Sequence, residues 1–335
     1  MRLDPSFDVD DQAGILQARA TKASLQQQVL EGAAVHGNGC SWKQKQLSQM
    51  LDAAARQSLV EESRADEWFQ AHMSLCSVPG AGAWLTSPLV DDGREIDTPL
   101  FRVALKRRLR CPVADQDAFC PLCGQCMDRW GDHALTCPCG GDRTIRHNWV
   151  RNVVFEEAVG AGLRPEREKA GLLPRRPAAD GLPATAGARR PADVWLPRGP
   201  KGNAEAMDFA VTSGMQSALF RAVADDPMVV FERYEQQKRN YLQTYDQCRR
   251  AGFRFKPMVL EAHAGGWSGA FRGRMGWLAR AGAAVHSASP AAEALRIAQR
   301  ISSSLHRENA RAVLRRLSAA ETPTAPSGWA HSGAD

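Results

Sequence analysis

The sequence has no run of about eighteen apolar residues, so no segment reads as a membrane span. Its opening residues lack a positive start followed by an apolar core, so no secretory leader is read there. Nine cysteines, an odd number and locally crowded, do not make a disulfide framework; they read as metal ligands plus free thiols in a reducing compartment. Nor is there a strong excess of one charge, the formal balance being +6 over 335 residues. What remains is a chain of ordinary composition, 44% hydrophobic and 24% charged, long enough for two modest domains. Its basic residues are bunched, at Lys106-Arg107-Arg108-Leu109-Arg110 and through 164–198, which suits a polyanionic partner.

The densest chemistry lies at 120–148. Cys120 and Cys123 form a C-x2-C knuckle, and His133 with Cys137 an H-x3-C pair. A tight turn between two thiolates presents both sulfurs to one metal, and a histidine four residues before a cysteine does the same across a helical turn. Four ligands with no vacancy make a structural zinc site, and the segment is too small to bury a core without it. Cys126 and Cys139 offer alternative ligands, and Cys111 stands upstream.

Before the knuckle, the apolar spacing predicts a helix over 11–31 and a second one after Ser41, a good N-cap. Residues 84–88 read as extended, and Thr98-Pro99 opens a basic helix over 101–110. Arg102, Lys106, Arg107, Arg108 and Arg110 are read as its outer face, either solvated or contacting phosphate. After the knuckle, a helix running to about 159 begins with Arg146 and His147, flanked by Arg143 and Arg151. Here a hydrogen-bonded structural histidine and a phosphate contact are equally good readings.

The segment 163–169 carries Glu166 and Glu168, and 171–190 has the Pro, Gly and Ala content of a surface loop. Two short apolar strands follow, over 189–197 and 206–212, each with one acid, Asp193 and Asp208. A carboxylate in an apolar strand is costly unless it is paired or binds metal. A helical pattern over 220–250 places Tyr234, Lys238, Tyr241 and Tyr245 on neighbouring turns, and 253–261 reads as a further strand. A basic amphipathic helix over 291–318 and a disordered tail over 319–335 complete the pattern. The sum is an α/β sandwich with acids at one edge and a lysine beside them. Carboxylates holding Mg²⁺ or Mn²⁺ next to a lysine are what phosphodiester hydrolysis requires.

From residue 120 to about 267 the chain resembles the C-terminal region of site-specific non-LTR retrotransposon proteins, which carry a zinc knuckle and then a restriction-like endonuclease of the PD-(D/E)XK type. The resemblance rests on the Cys120/Cys123/His133/Cys137 knuckle with Gly131-Asp132 before its histidine, Arg146-His147-Asn148, Glu168, and Arg190-Pro191-Ala192-Asp193. It continues through Asp208 followed by Phe209-Ala210-Val211-Thr212-Ser213, and Lys238-Arg239-Asn240-Tyr241. It implies Asp193 and Asp208 as ligands of a catalytic Mg²⁺ or Mn²⁺ and Lys238 as the catalytic lysine on a helix, with Tyr241 its neighbour. Glu168 is the supporting acid it implies, with Glu166, Glu156 and Glu157 as substitutes. Arg146 and His147 then contact DNA, joined by Lys106, Arg107 and Arg108 on the basic helix. The proline-acid pair is split by Ala192, a departure from the family pattern, and no Tyr-x-Asp-Asp polymerase motif is present.

The expected organisation is a helical linker region (1–118), a CCHC knuckle (119–142), a restriction-like endonuclease domain (143–290), the C-terminal basic helix and the tail. The expected activity is metal-dependent nicking of DNA, in the nucleus or cytoplasm, with the element's RNA as a second candidate partner and no membrane. The alternative is a catalytically inactive, zinc-bearing, nucleic-acid-binding remnant of the element.

Overall fold

The computed structural model describes residues 44–88, 93–174 and 189–321. The helix expected over 11–31, most of the loop interval and nearly all of the tail lie outside those residues. Contacts divide the chain after Gln70. Described in the first unit are α1 (Gln44–Glu62) and the start of α2 (Glu67–Cys76). Asp66 caps α2, its carboxylate accepting the Phe69 amide at 3.0 Å, as a short polar side chain does at a helix start.

The second unit is mixed α/β. A four-stranded sheet runs in the order β3 (Glu166–Arg167), β4 (Val194–Leu196), β5 (Glu205–Thr212), β6 (Arg254–Glu261). The first three strands are antiparallel neighbours, and β5 pairs with β6 in parallel. A parallel pair needs a crossover, here supplied by α6 (Phe220–Asp225), α7 (Val229–Asn240) and α8 (Thr244–Arg250). The pattern predicts one helical stretch over 220–250, but Pro227 cannot continue a helix from α6 into α7. A 3-10 turn then ends α7, and Gln243 at φ +53° redirects the chain into α8.

Strand alternation decides what each face of β5 meets. Met207 and Phe209 enter the main core with Val150 and Val154 of α5 (Asp142–Gly160), Phe271 and Leu278 of α9 (Gly269–His286), and Ile297, Ile301 and Leu305 of α10 (Pro290–Glu321). Each such side chain contributes about 1.5–3 kcal/mol over leaving it in water. Ala206 and Ala210 face the crossover helices instead, Ala210 packing with Phe231, Val259 and Tyr234. Asp208, between the two alanines, shares their face.

Two features depart from the sequence pattern. Helix α9, capped by Ser268, is not among the elements read from the sequence: Gly269, Gly273, Gly276 and Gly282 dilute it, although Phe271, Met275, Leu278, Ala279 and Ala283 recur at helical spacing on its buried face. Within 84–88, read as extended, the chain instead forms a 3-10 turn (Ala83–Thr86) that buries Trp84 against Phe101 and His306.

The knuckle is a hairpin of β1 (Ala118–Phe119) and β2 (Cys126–Met127) followed by the short helix α4 (Asp132–Thr136). Its Ala134 and Leu135 share a buried cluster with Leu100 and Val103 of α3 (Thr98–Arg108) and Ala310 and Val313 of α10. Packing is therefore continuous across the boundaries drawn at 118, 142 and 290, and α10 is part of the core of this unit. Among the described residues, no helix is long and apolar enough to cross a membrane.

Candidate functional site

The Cys/His cluster assembles from local turns. Cys120 and Cys123 lie in the β1–β2 turn, closed by the Cys120 amide on Gln125 O and the Gly124 amide on Cys120 O, both 2.8 Å. Gly131, at φ +74°, opens α4 but offers no side-chain cap. Asp128 supplies one, its carboxylate accepting the amides of Trp130, Asp132 and His133 at 2.7–3.1 Å. His133 then sits in α4 and Cys137 caps its end. The Sγ atoms of Cys120, Cys123 and Cys137 and a ring nitrogen of His133 all lie within 4.8 Å of one another, a set able to hold a metal ion. Three thiolates and an imidazole are the donor chemistry of closed tetrahedral zinc sites. Cys126 and Cys139 stand outside the set: Cys126 is exposed on β2, and Cys139 contributes its carbonyl, which accepts from Arg316 at 3.1 Å.

Helix α3 buries Leu100, Val103 and Ala104 as expected, but only part of its basic residues form an outer face. Arg107 is 4% exposed and donates to Trp130 O at 2.7 Å and to Asp132 at 3.2 Å. Arg110 donates to the second Asp132 oxygen at 2.7 Å, and Arg108 to the carbonyls of Ala81 and Cys76. These guanidinia brace the knuckle and the turn of residues 77–82, while Lys106 and Arg102 remain exposed. Arg146 is likewise structural: 2% exposed, it donates to Asn309 Oδ1 and Leu135 O, both at 2.9 Å, and burial pulls its guanidinium down to about 10. One backbone carbonyl and one side-chain amide hold it in the interior, away from the surface.

A second constellation lies in an open cleft of ≈380 Å³ whose lining includes His147, Asp193, Asp208, Tyr234 and Lys238. Asp193 is fixed at the start of β4: its Oδ2 accepts the Phe209 amide at 2.6 Å and His147 Nε2 at 3.1 Å. The other His147 nitrogen, Nδ1, faces Asn148 Oδ1 at 3.3 Å, so both ring nitrogens meet acceptors. Burial works against charging this imidazole, but Asp193 outweighs it and raises the histidine above its ordinary range. In return, and against its own burial, Asp193 is lowered. Asp208 receives Lys238 Nζ at 2.9 and 3.1 Å on its two oxygens. Burial pushes Asp208 up to about 6; Lys238 opposes the rise and Asp193, within hydrogen-bond reach, adds to it. Lys238 is held above its usual range by Asp208 and, further off, Tyr234 and Asp193, despite burial. Two adjacent, partly buried carboxylates, one of them resisting ionisation, are a geometry that a cation relieves.

The other expected acids are engaged elsewhere. Glu168 N donates to Asp193 O at 3.0 Å, but its half-exposed carboxylate is paired with Arg151 and, at 3.7 Å, Arg190. Glu156 and Glu157 bind Arg300 and Arg296 of α10, and Glu166 binds Lys169 at 2.6 Å. Tyr241 is 65% exposed in the turn that ends α7, and the helix stops before it can share a face with Lys238. Tyr234, one turn before Lys238, lines the cleft in its place; the i−4 spacing to the lysine was the available signal. Glu205 and Glu261, unremarked in the sequence, are structural: Glu205 pairs with Arg274 at 2.7 Å, and Glu261 accepts the amides of Gly214, His263 and Ala264.

Fold and site together define a mixed α/β protein with a Cys3His cluster and a separate cleft of two aspartates, a lysine and a histidine. Comparison with family models, curated proteins and solved structures returns no match for this chain.

Proposed function

We propose that the chain is a divalent-cation-dependent DNA endonuclease with a restriction-endonuclease-like core, related to the nuclease region of non-LTR retrotransposon proteins. The observation that carries this reading is the convergence of Asp193, Asp208 and Lys238, from two strands and a crossover helix, in one open cleft. Asp193 commits Oδ2 to His147 and Phe209 N, which leaves Oδ1 as its ligand atom; Asp208 offers the second. Asp193 and Asp208 would hold a Mg²⁺ or Mn²⁺, which would supply charge neutralisation at a scissile phosphate and acidify the attacking water. Lys238, which pairs with Asp208 at 2.9 Å in the cleft, would orient the attacking water or steady the developing oxyanion. His147 is a positioning residue, holding Asp193 in its rotamer as outer partners of metal ligands do. Cys120, Cys123, His133 and Cys137 would hold a structural zinc that closes the knuckle, whose Ala134 and Leu135 pack on α3 and α10.

A binding-only role is the second reading. It is favoured by Glu168, whose capture by Arg151 leaves two acids in the cleft. Nicking of supercoiled plasmid by zinc-loaded protein separates the two. Expected is nicking that requires Mg²⁺ or Mn²⁺ and disappears in Asp208→Asn; plasmid binding without nicking under either cation would sink the enzymatic reading.

A further inference from the structure

The cleft continues past Tyr234. Arg143, Val211 and Tyr234 line it and also line a second recess of ≈340 Å³, walled further by Ser213, Gln216, Arg233 and Gln237. We propose that this recess receives one unpaired nucleotide of a DNA strand, base inward and backbone on Arg143 and Arg233, beside the phosphate presented to Asp193 and Asp208. This rests on the nuclease reading for the role of the adjoining cleft, but the recess itself is argued from its own lining.

The first ground is how this chain uses its arginines. Arg107, Arg146, Arg274, Arg296 and Arg316 are consumed by buried carbonyls and carboxylates. Arg143 and Arg233 are exposed, and among the described residues no hydrogen bond or ion pair engages either, although both line one recess. Unpaired cations converging on a hollow next to two carboxylates fit an anionic strand that runs through both spaces.

The second ground is the kind of wall. Duplex backbone is gripped by cations on an open surface and needs no recess. A hollow at the small end of the ~300–1,000 Å³ ligand range, carrying amides and hydroxyls, suits a base edge that has left its stack. Gln216 spends its Nε2 on Ser213 O at 2.6 Å, which leaves its oxygen for a donor on the base. Gln237 stands one turn of α7 beyond Arg233, so cation and amide lie on one helical face. The Tyr234 ring, shared by both spaces, offers a surface on which a base can stack. The consequence is a preference for single-stranded or locally unpaired DNA over perfect duplex.

The test is fluorescence anisotropy of labelled oligonucleotides, single-stranded or blunt duplex, with zinc-loaded protein and no Mg²⁺ or Mn²⁺, so that binding is read without cleavage. Wild type is expected to bind the single strand at least about tenfold tighter than the duplex. Arg143→Ala/Arg233→Ala is expected to lose about tenfold on the single strand and to flatten the salt slope by about 1.4, two phosphates at ~0.7 each. Arg143→Lys/Arg233→Lys restores the slope, and Gln237→Ala weakens single-strand binding with the slope unchanged. Equal or tighter binding to the duplex, or an unaltered double alanine variant, overturns the proposal. The two readings fail separately. A single-strand preference lost in the variant, from a protein that never nicks plasmid, keeps the recess and removes the nuclease. Nicking abolished by Asp208→Asn, with no such preference, does the reverse.

Discussion

At the residue scale, Asp193 and Asp208 were legible because a carboxylate inside a short apolar strand is expensive, and the structure brings both to one cleft with Lys238. Arg107 and Arg146 were not legible. Composition marks an arginine as a surface cation, but Asn309, which accepts from Arg146, lies 163 residues further along the chain, so only the fold reveals the partner. The two roles have different signatures. Arg146→Ala should cost about 1–3 kcal/mol of stability, because Leu135 O and Asn309 Oδ1 lose their donor. Denaturant unfolding reads that loss, while the salt dependence of DNA binding stays as in wild type; a flattened slope with normal stability would restore Arg146 to the DNA surface. His147→Ala should weaken divalent-cation affinity roughly 10–100-fold by freeing the Asp193 carboxylate to rotate. Mn²⁺ titration followed by electron paramagnetic resonance checks this, with unchanged affinity counting against a positioning role.

At the element scale, the knuckle was the most legible part, since C-x2-C and H-x3-C spacing fixes ligand geometry within a few residues. Sequence could not choose among the spare thiols, because that choice depends on how Cys126 sits on β2 and how the chain bends at Cys139 after α4. Cys120→Ser should lose the bound zinc equivalent, while Cys126→Ser and Cys139→Ser keep it; zinc counted by a colorimetric chelator decides, and loss in Cys126→Ser would redraw the ligand set. Helix α10 carries a second consequence. Its His306 is buried against Trp84, with Arg107, Arg108 and His263 around it; burial first and those charges second pull it down to about 3. His72 of α2 is drawn to about 3 in the same way, by burial, then His263, Arg110 and Arg108, with Asp132 opposing. Both are neutral in the fold and bind a proton near pH 6.5 once unfolded. Their contribution is therefore complete above about 6.5 and is lost as pH falls toward 3, at up to about 1.4 kcal/mol per pH unit for each. Urea unfolding at pH 7.5 and 5.0 should give a clearly lower midpoint in acid; equal midpoints would mean the two rings are not held neutral.

At the scale of the whole molecule, the α/β class was readable from strands that alternate with helical patterns, but the unity of the second unit was not. Its core joins Val150, Phe209 and Phe271 of the expected 143–290 domain to Ile301 of the C-terminal helix, which sequence reasoning set apart. Helix α9 was missed although Phe271, Met275, Leu278, Ala279 and Ala283 recur at helical spacing, because its glycines mask the pattern; packing on β6 and α10 supports it. Removing residues 291–321 should abolish cooperative unfolding of this unit, because Ile297, Ile301 and Leu305 close its core. Calorimetry of the shortened chain checks this, and a retained sharp transition would make α10 an appendage.

Under the proposed function, Asp193, Asp208 and Lys238 act as one hydrolytic centre. The most direct measurement is the single-turnover cleavage rate of a labelled oligonucleotide by zinc-loaded protein across a Mg²⁺ and Mn²⁺ series, for wild type, Asp193→Asn, Asp208→Asn, Lys238→Ala and Tyr241→Phe. Expected is cation-dependent cleavage that falls by about 10²–10³ or more in the first three variants and is unchanged in Tyr241→Phe. Cleavage that survives Asp208→Asn and Lys238→Ala, or wild type that binds the strand and never cuts it, would contradict that claim.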